Sequence, residues 1–566
     1  MPHIKIKKID VFILIFIALV SLMLRIPTKD TILGAYDQVY IFDEGARFFK
    51  TSFFETREWY NNKFVHLFVL SNQGISDTLL ESLNLFFLKL FNLRIVWWSY
   101  FLFHYLFDVV NALLIYVLLR FFVDRRLSVI GSFLYVSMPI FFYHSSIFPL
   151  WLVYSVFFEI LLFIAFYIFY LTKNKAYLYV SSAILCFILL GDTNFFVITA
   201  LSMMLIALLK NRGMISKKDV LIFFIFPGII MLANGFIAIF AFSKGYFLGL
   251  FGYAFGHYRQ LGNVRHFDPG GYIKTLIGSE GLFAFFNLFT LFCWIKNKFF
   301  AINKRDLSLF ENLFGIWNLL LLVLVFLSQR INVPLGLYYL PAIIFSVCYL
   351  RNLHKKRYVY IMLIFIITQF ALSINAKYSF IDLPPVAELR YMNKDFGQKA
   401  AGFWIRENTA EDDSVLVVTP DIKGDFFKYS HPNYLESTEL YFKKIYAYCN
   451  GRAPKRLFSV HHIFGEGEIY YDLGDPPEYI VDFSGSENNF LKLKGYINFP
   501  TERYEKKAVI LNDREDVMIS VYQKGLMFQQ IQILKKSELN EIYDRKYAYF
   551  NDMVFSPYQG LWVYIP

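Results

Sequence analysis

Two adjacent carboxylates, Asp43 and Glu44, stand in the stretch Tyr36-Asp37-Gln38-Val39-Tyr40-Ile41-Phe42-Asp43-Glu44-Gly45-Ala46-Arg47-Phe48, soon after the first apolar run of a 566-residue chain. Arg47 follows Asp43 by four residues and Glu44 by three, so on a helix it can pair with either. Phe49 and Phe53 repeat at i,i+4, the spacing of a helix lying on a bilayer surface. Carboxylates in such a place can take up a proton. The same residues also suit a structural duty, with Asp43 as an N-cap and Glu44 in the first turn of the helix. The stretch by itself leaves both readings open.

Composition sets the class. Hydrophobic residues make up 57% of the chain, aromatic residues 20%, and the mean hydropathy is +0.43. That is too apolar for an ordinary soluble protein. The net charge of +11 sits in short basic clusters between apolar runs, which encodes membrane topology and argues against nucleic-acid binding. Of the four cysteines, Cys186, Cys293 and Cys348 lie inside apolar runs and Cys449 does not. No pair has metal-ligand spacing, and no disulfide framework is visible.

Eleven apolar segments are expected to span the membrane: about 11–26, then 95–120, 128–143, 147–171, 176–190, 194–209, 219–242, 281–295, 309–327, 333–350 and 358–375. With the amino terminus inside and the sides alternating, the inner connections hold Arg120, Arg125, Arg126, Lys173, Lys175, Lys210, Arg212, Lys217, Lys218, Lys296, Lys298, Lys304, Arg305, Arg351, Lys355, Lys356 and Arg357. The short outer connections, 144–146, 191–193 and 328–332, hold only Arg330. This asymmetry fixes the expected orientation and leaves the carboxyl terminus outside.

The expected architecture is an α-helical polytopic membrane domain, residues 1–380, followed by an extracytoplasmic α/β domain, residues 381–566. The first outer loop, 27–94, carries the carboxylates and a second interfacial helix marked by Leu79, Leu83, Phe87 and Leu90. A long outer loop, 243–280, is rich in glycine and aromatics and holds His257, Arg259 and Arg265. Pro384-Pro385 marks the linker to the second domain, which reads as a mixture of helices and strands with no phosphate-binding glycine loop, metal spacing or nucleophile elbow. Its expected role is binding or positioning. Inside the spans, His104, Asp108 and Asn111 share a helix face, and Glu159 sits in mid-span. The first two are expected to form internal hydrogen bonds that hold helices together. Asp192 and Asn194 fit either an outer cavity or a turn.

This layout resembles the polytopic GT-C glycosyltransferases, especially bacterial relatives of protein O-mannosyltransferases and aminoarabinose transferases. In that family an Asp-Glu pair follows the first span and leads into a juxtamembrane helix, and Asp43-Glu44-Gly45-Ala46-Arg47-Phe48 matches with one inserted glycine. The likeness extends more weakly through 79–93, Arg120–Arg126, Ser137-Met138-Pro139-Ile140-Phe141, and Arg330 with Tyr338-Tyr339-Leu340-Pro341, covering roughly residues 1–350. It departs near Lys63–Ser71, which lacks the family's Lys-Pro-Pro-like motif, and at His144-Ser145-Ser146, which replaces an outer-loop acid. Those departures leave the sugar and any divalent metal open.

The resemblance implies transfer of a sugar from a polyprenyl-phosphate carrier to a hydroxyl on a protein, lipid or polysaccharide acceptor at the outer face. It implies Asp43 as general base, with inversion at the anomeric carbon. Glu44 would position the site, with Arg47 as its partner, and Arg330 would bind the donor phosphate, with Arg259, Arg265 and His257 as further candidates. A transporter or lipid flippase, and a non-catalytic scaffold of an envelope assembly, fit parts of the same pattern.

Overall fold

A computed structural model of the chain describes residues 7–26, 83–94 except 85, 102–138, 152–189, 215–241, 281–299, 309–328, 335–352, 356–378, 395–418, 456–459, 476–483, 501–525 and 530–547, with a few single residues besides. These fall into two compact units. One is helical and lies between residues 7 and 378. The other joins the described residues of 84–94 to those from 395 onward.

The helical unit contains α1 (Lys8–Arg25), α2 (Leu102–Arg120), α3 (Arg125–Ser137), α4 (Leu152–Thr172), α5 (Lys175–Leu189), α6 (Lys217–Ala241), α7 (Phe283–Phe299), α8 (Leu309–Ser328), α9 (Leu335–Asn352) and α10 (Lys356–Tyr378). Ten of the eleven apolar segments expected from the sequence are therefore helical. The remaining one, 194–209, lies outside the described residues. Among the described residues, α2 is the one helix that is both long and apolar enough to cross a bilayer by length and composition.

Unlike the helices of a water-soluble bundle, these expose bulky apolar side chains and turn polar groups inward. On α1 the inward face carries Asp10, Ile17, Ser21, Leu24 and Arg25, while Phe12 and Met23 are each 72% exposed. Leu221, Phe292 and Ile364 are likewise exposed on α6, α7 and α10. Polar groups turned inward and bulky apolar groups turned outward are what a hydrocarbon solvent selects. The interior is filled by large side chains such as Tyr135, Phe163, Trp317 and Phe345. Gly315 lets α8 close on α7 and α9, since a Cβ there would lie 2.8 Å from Phe345 and 3.0 Å from Trp294. At the start of α3, Asp124 accepts a hydrogen bond from the Leu127 amide at 3.0 Å and caps the helix.

The second unit contains α11 (Gln398–Asn408), β1 (Ser414–Val418), β2 (Arg456–Ser459), β3 (Tyr479–Asp482), β4 (Tyr504–Leu511), β5 (Val517–Lys524), β6 (Gln532–Lys535) and α12 (Lys536–Tyr547). The strands form one six-stranded sheet in the order β2-β1-β3-β5-β4-β6. The β2-β1-β3 half is parallel, β5 runs antiparallel to both β3 and β4, and β6 is parallel to β4. The apolar run Val415–Val418 of β1, in a strand buried at every position, is what an interior parallel strand requires. The β4–β5 hairpin closes through Asn512, whose Oδ1 accepts from the amides of Arg514 and Asp516 at 2.8 and 2.9 Å. Phe403 and Trp404 of α11, with Leu539, Tyr543 and Tyr547 of α12, complete the core over the sheet. The sequence pattern predicts a helix around 396–407 and strands at 414–419, 456–461, 478–483, 508–511 and 517–523, and α11, β1, β2, β3, β4 and β5 lie there within a few residues. β6 and α12 are additions that no sequence pattern announced.

Candidate active site

Asp43, Glu44, Arg47, His257, Arg259, Arg265 and Arg330 all lie outside the described residues, as do Asp192 and Asn194. The structure instead describes the helices from which their segments depart. The first carboxylate segment follows α1, which ends at Arg25 with its cap at Ile26. Arg330 falls in the short connection between the end of α8 at Ser328 and the start of α9 at Leu335.

Polar groups that the sequence places on one face of α2 do come together, and they gather partners from three other helices. Asp108 is fully buried, accepts Nε–H of the equally buried Arg25 from α1, and accepts the phenol of Tyr135 from α3. A second guanidinium nitrogen, Nη1 of Arg25, donates to the Val136 carbonyl at 2.6 Å. Asn111 donates from Nδ2 to the Val153 carbonyl of α4 at 2.8 Å and to the Tyr135 hydroxyl at 3.3 Å. His104 packs tilted against Tyr154 with ring centroids 4.8 Å apart and Nδ1 3.4 Å from its hydroxyl. The internal hydrogen bonding expected of His104 and Asp108 is thus present, and its unforeseen member is Arg25. A signal for it existed: an arginine ends the first apolar run on the side that the charge pattern predicts to be outer, against the bias that the short turns otherwise obey.

A second cluster ties the other end of α1. Asp10 accepts from Tyr116 of α2 at 2.7 Å and from Nε and Nη2 of Arg125 on α3 at 2.7 and 3.1 Å. Deeper in the bundle, Asn287 of α7 and Asn318 of α8 exchange amide hydrogen bonds at 2.6 and 3.3 Å, with Ser346 of α9 3.4 Å from the Asn287 oxygen. Glu159 on α4 is fully buried, and neither carboxyl oxygen has a hydrogen-bond partner among the described residues. Among those residues, no three His, Cys, Asp or Glu side chains come together as metal ligands.

In the α/β unit, Lys399 pairs with Asp544 at 2.5 Å between the rings of Tyr448 and Tyr543. Burial pushes the Glu407 carboxyl up, but hydrogen bonds from Lys546 at 2.7 Å and Tyr547 at 2.8 Å outweigh it and hold the group below the usual carboxylate range. Burial also pushes the Cys449 thiol up to about 12.

No known family's sequence profile matches the chain, and no curated protein sequence matches it. Solved structures do. The apo oligosaccharyltransferase of Archaeoglobus fulgidus superposes with a TM-score of 0.53 at 14% identity, over 91% of this chain and 75% of that one. The same enzyme tethered to an acceptor peptide containing the NVT sequon gives 0.50 at 14% identity, over 92% and 74%. ArnT from Cupriavidus metallidurans bound to undecaprenyl phosphate gives 0.47 at 10% identity, over 90% and 97%, too distant to add weight. The chain therefore shares the fold of that oligosaccharyltransferase, a helical unit with a carboxyl-terminal domain.

Proposed function

We propose that this protein is a membrane glycosyltransferase that moves a sugar from a polyprenyl-phosphate carrier to an acceptor at the outer face. The observation that carries the reading is the fold shared with that oligosaccharyltransferase over nine-tenths of the chain, combined with an Asp-Glu pair in the segment that follows α1. The fold similarity favours a transferase over the transporter and scaffold readings. It rests on an enzyme whose structure holds an acceptor peptide, which favours testing protein acceptors beside lipid and polysaccharide ones.

In this mechanism the acceptor loses its proton to the Asp43 carboxylate as it attacks the anomeric carbon, and the configuration inverts. Charge gathers on the departing lipid phosphate, where Arg330 offers two parallel N–H donors. Glu44 orients the site through Arg47, and Arg259, Arg265 and His257 serve the donor side. Membrane lipids form the surroundings, the amino terminus is cytoplasmic, and the α/β unit is extracytoplasmic.

The test is sugar transfer by purified, detergent-solubilised variants at matched amounts. Asn caps a helix as well as Asp but cannot take the proton. Asp43→Asn should therefore keep normal yield and lose about a hundredfold or more in turnover. Glu44→Gln should be milder. Arg330→Lys should keep partial activity, and Arg330→Ala should lose most of it. A fully active Asp43→Asn enzyme would overturn the mechanism.

A further inference from the structure

The Arg25–Asp108–Tyr135 cluster joins helix ends rather than helix middles. Arg25 is the last residue of α1, and its guanidinium reaches Val136, one residue before the end of α3. Asn111 links the same tyrosine to Val153, the second residue of α4. Ser137, the last residue of α3, accepts at its carbonyl from Ser373 of α10 at 2.8 Å. Four helix termini or near-termini and the early turns of α2 are thus fastened at one end of the bundle. By the alternation of charged turns that end is the outer one, and from it departs the segment that carries Asp43.

A buried ion pair is a costly way to hold helices together, since apolar residues of similar size usually do as well. What the pair supplies in exchange is geometric definition. Arg25 bonds through two nitrogens to two different helices, and Asp108 accepts from both neighbours. Sliding or rotating α1 would strand a charge in a medium without water.

We infer that Arg25 and Asp108 are positioning residues of the proposed transferase, forming a latch that fixes where α1 ends and so where the carboxylate segment begins. The inference rests on the proposed function for its catalytic consequence, whereas the latch itself can be measured without catalysis.

The test uses the full chain in nanodiscs. Asp108→Asn leaves the arginine without its counter-charge and should lower stability. Arg25→Met combined with Asp108→Leu removes both charges at similar volume and should restore stability to near the wild-type level. A purely structural pair predicts that this double variant also regains transfer. The latch predicts that it does not, with kcat down by about tenfold or more and the donor KM within about twofold, as expected for misplaced catalytic groups. Arg25→Lys keeps the charge but cannot reach both Asp108 and Val136, and should show the same kcat loss. Where the double variant fails to fold, the lysine variant decides between the two accounts.

Spin labels at Met23→Cys and Leu106→Cys, both outward-facing positions, report the α1–α2 distance directly. Cys293 is replaced by serine in this background because the other three cysteines are buried. The distance distribution should widen in both the double variant and Arg25→Lys. An unchanged distribution overturns the latch whatever the activity result. A widened distribution with wild-type kcat overturns the positioning role. Should Asp43→Asn prove fully active, the proposed mechanism falls, and the label distances still decide whether the latch exists.

Discussion

At the scale of single residues, Glu407 shows how a charge in the α/β unit is tied to stability. Its partners Lys546 and Tyr547 hold the folded carboxyl below the unfolded range. The stabilisation is therefore fully present above the unfolded value and fades as pH falls through the folded one. Glu407→Gln should lower the stability of the α/β unit by about 0.5–1 kcal/mol at pH 7, the scale of a partly exposed ion pair. The deficit should shrink below about pH 4. Hydrogen exchange of residues 395–547 in the full chain measures it, and a deficit that stays constant across that range would remove the charge from the explanation. Such pairings are illegible in the letters, because the partners come from the far end of the unit. The i,i+4 and i,i+3 rows that put His104, Asp108 and Asn111 on one face are visible in the sequence. That Asp108 answers Arg25, 83 positions earlier, is a product of helix packing, and no local rule contains it.

At the scale of elements, long apolar runs are legible because a bilayer demands them, and α1 to α10 fall on them. β1 was equally plain, with five consecutive buried residues. β6 was not. Its four residues, Gln532 to Lys535, lie on a sheet edge and are mostly exposed, so no alternation of burial marks them. α12 escaped because its inward face is built from two tyrosines and a single leucine among charged residues. Close approach is harder still to read. Gly402 on α11 has Ile445's carbonyl oxygen 2.5 Å and Tyr448's Cβ 2.8 Å from where its own Cβ would be. Both obstacles are backbone or its first side-chain atom, so they cannot swing aside. Gly402→Ala should destabilise the α/β unit by about 1–3 kcal/mol despite alanine's better helix propensity. Protease susceptibility of the full chain between 395 and 547 should rise accordingly. A more resistant variant would show that the helix has room there.

At the scale of the whole molecule, orientation is the central expectation. Cys449 is the natural reporter of an outer carboxyl-terminal unit, but it is fully buried with its thiol pushed up to about 12, so an impermeant maleimide should leave it unlabelled in any orientation. A cysteine placed at Ser486 should label in intact cells or spheroplasts. Labelling only after permeabilisation would reverse the topology and take the outer-face reaction with it. The polar clusters at the two ends of α1 also have an electrical meaning. Asp10 faces Arg125 at one end, and Arg25 faces Asp108 at the other. A free elementary charge moved through a 100 mV membrane potential exchanges about 2.3 kcal/mol with the field. In the proposed membrane each of these pairs sums to zero instead, so a potential exerts no net pull on either pair taken as a unit. On the proposed function α1 is expected to behave as a stator, with both anchors holding the same place in a charged membrane as in a discharged one.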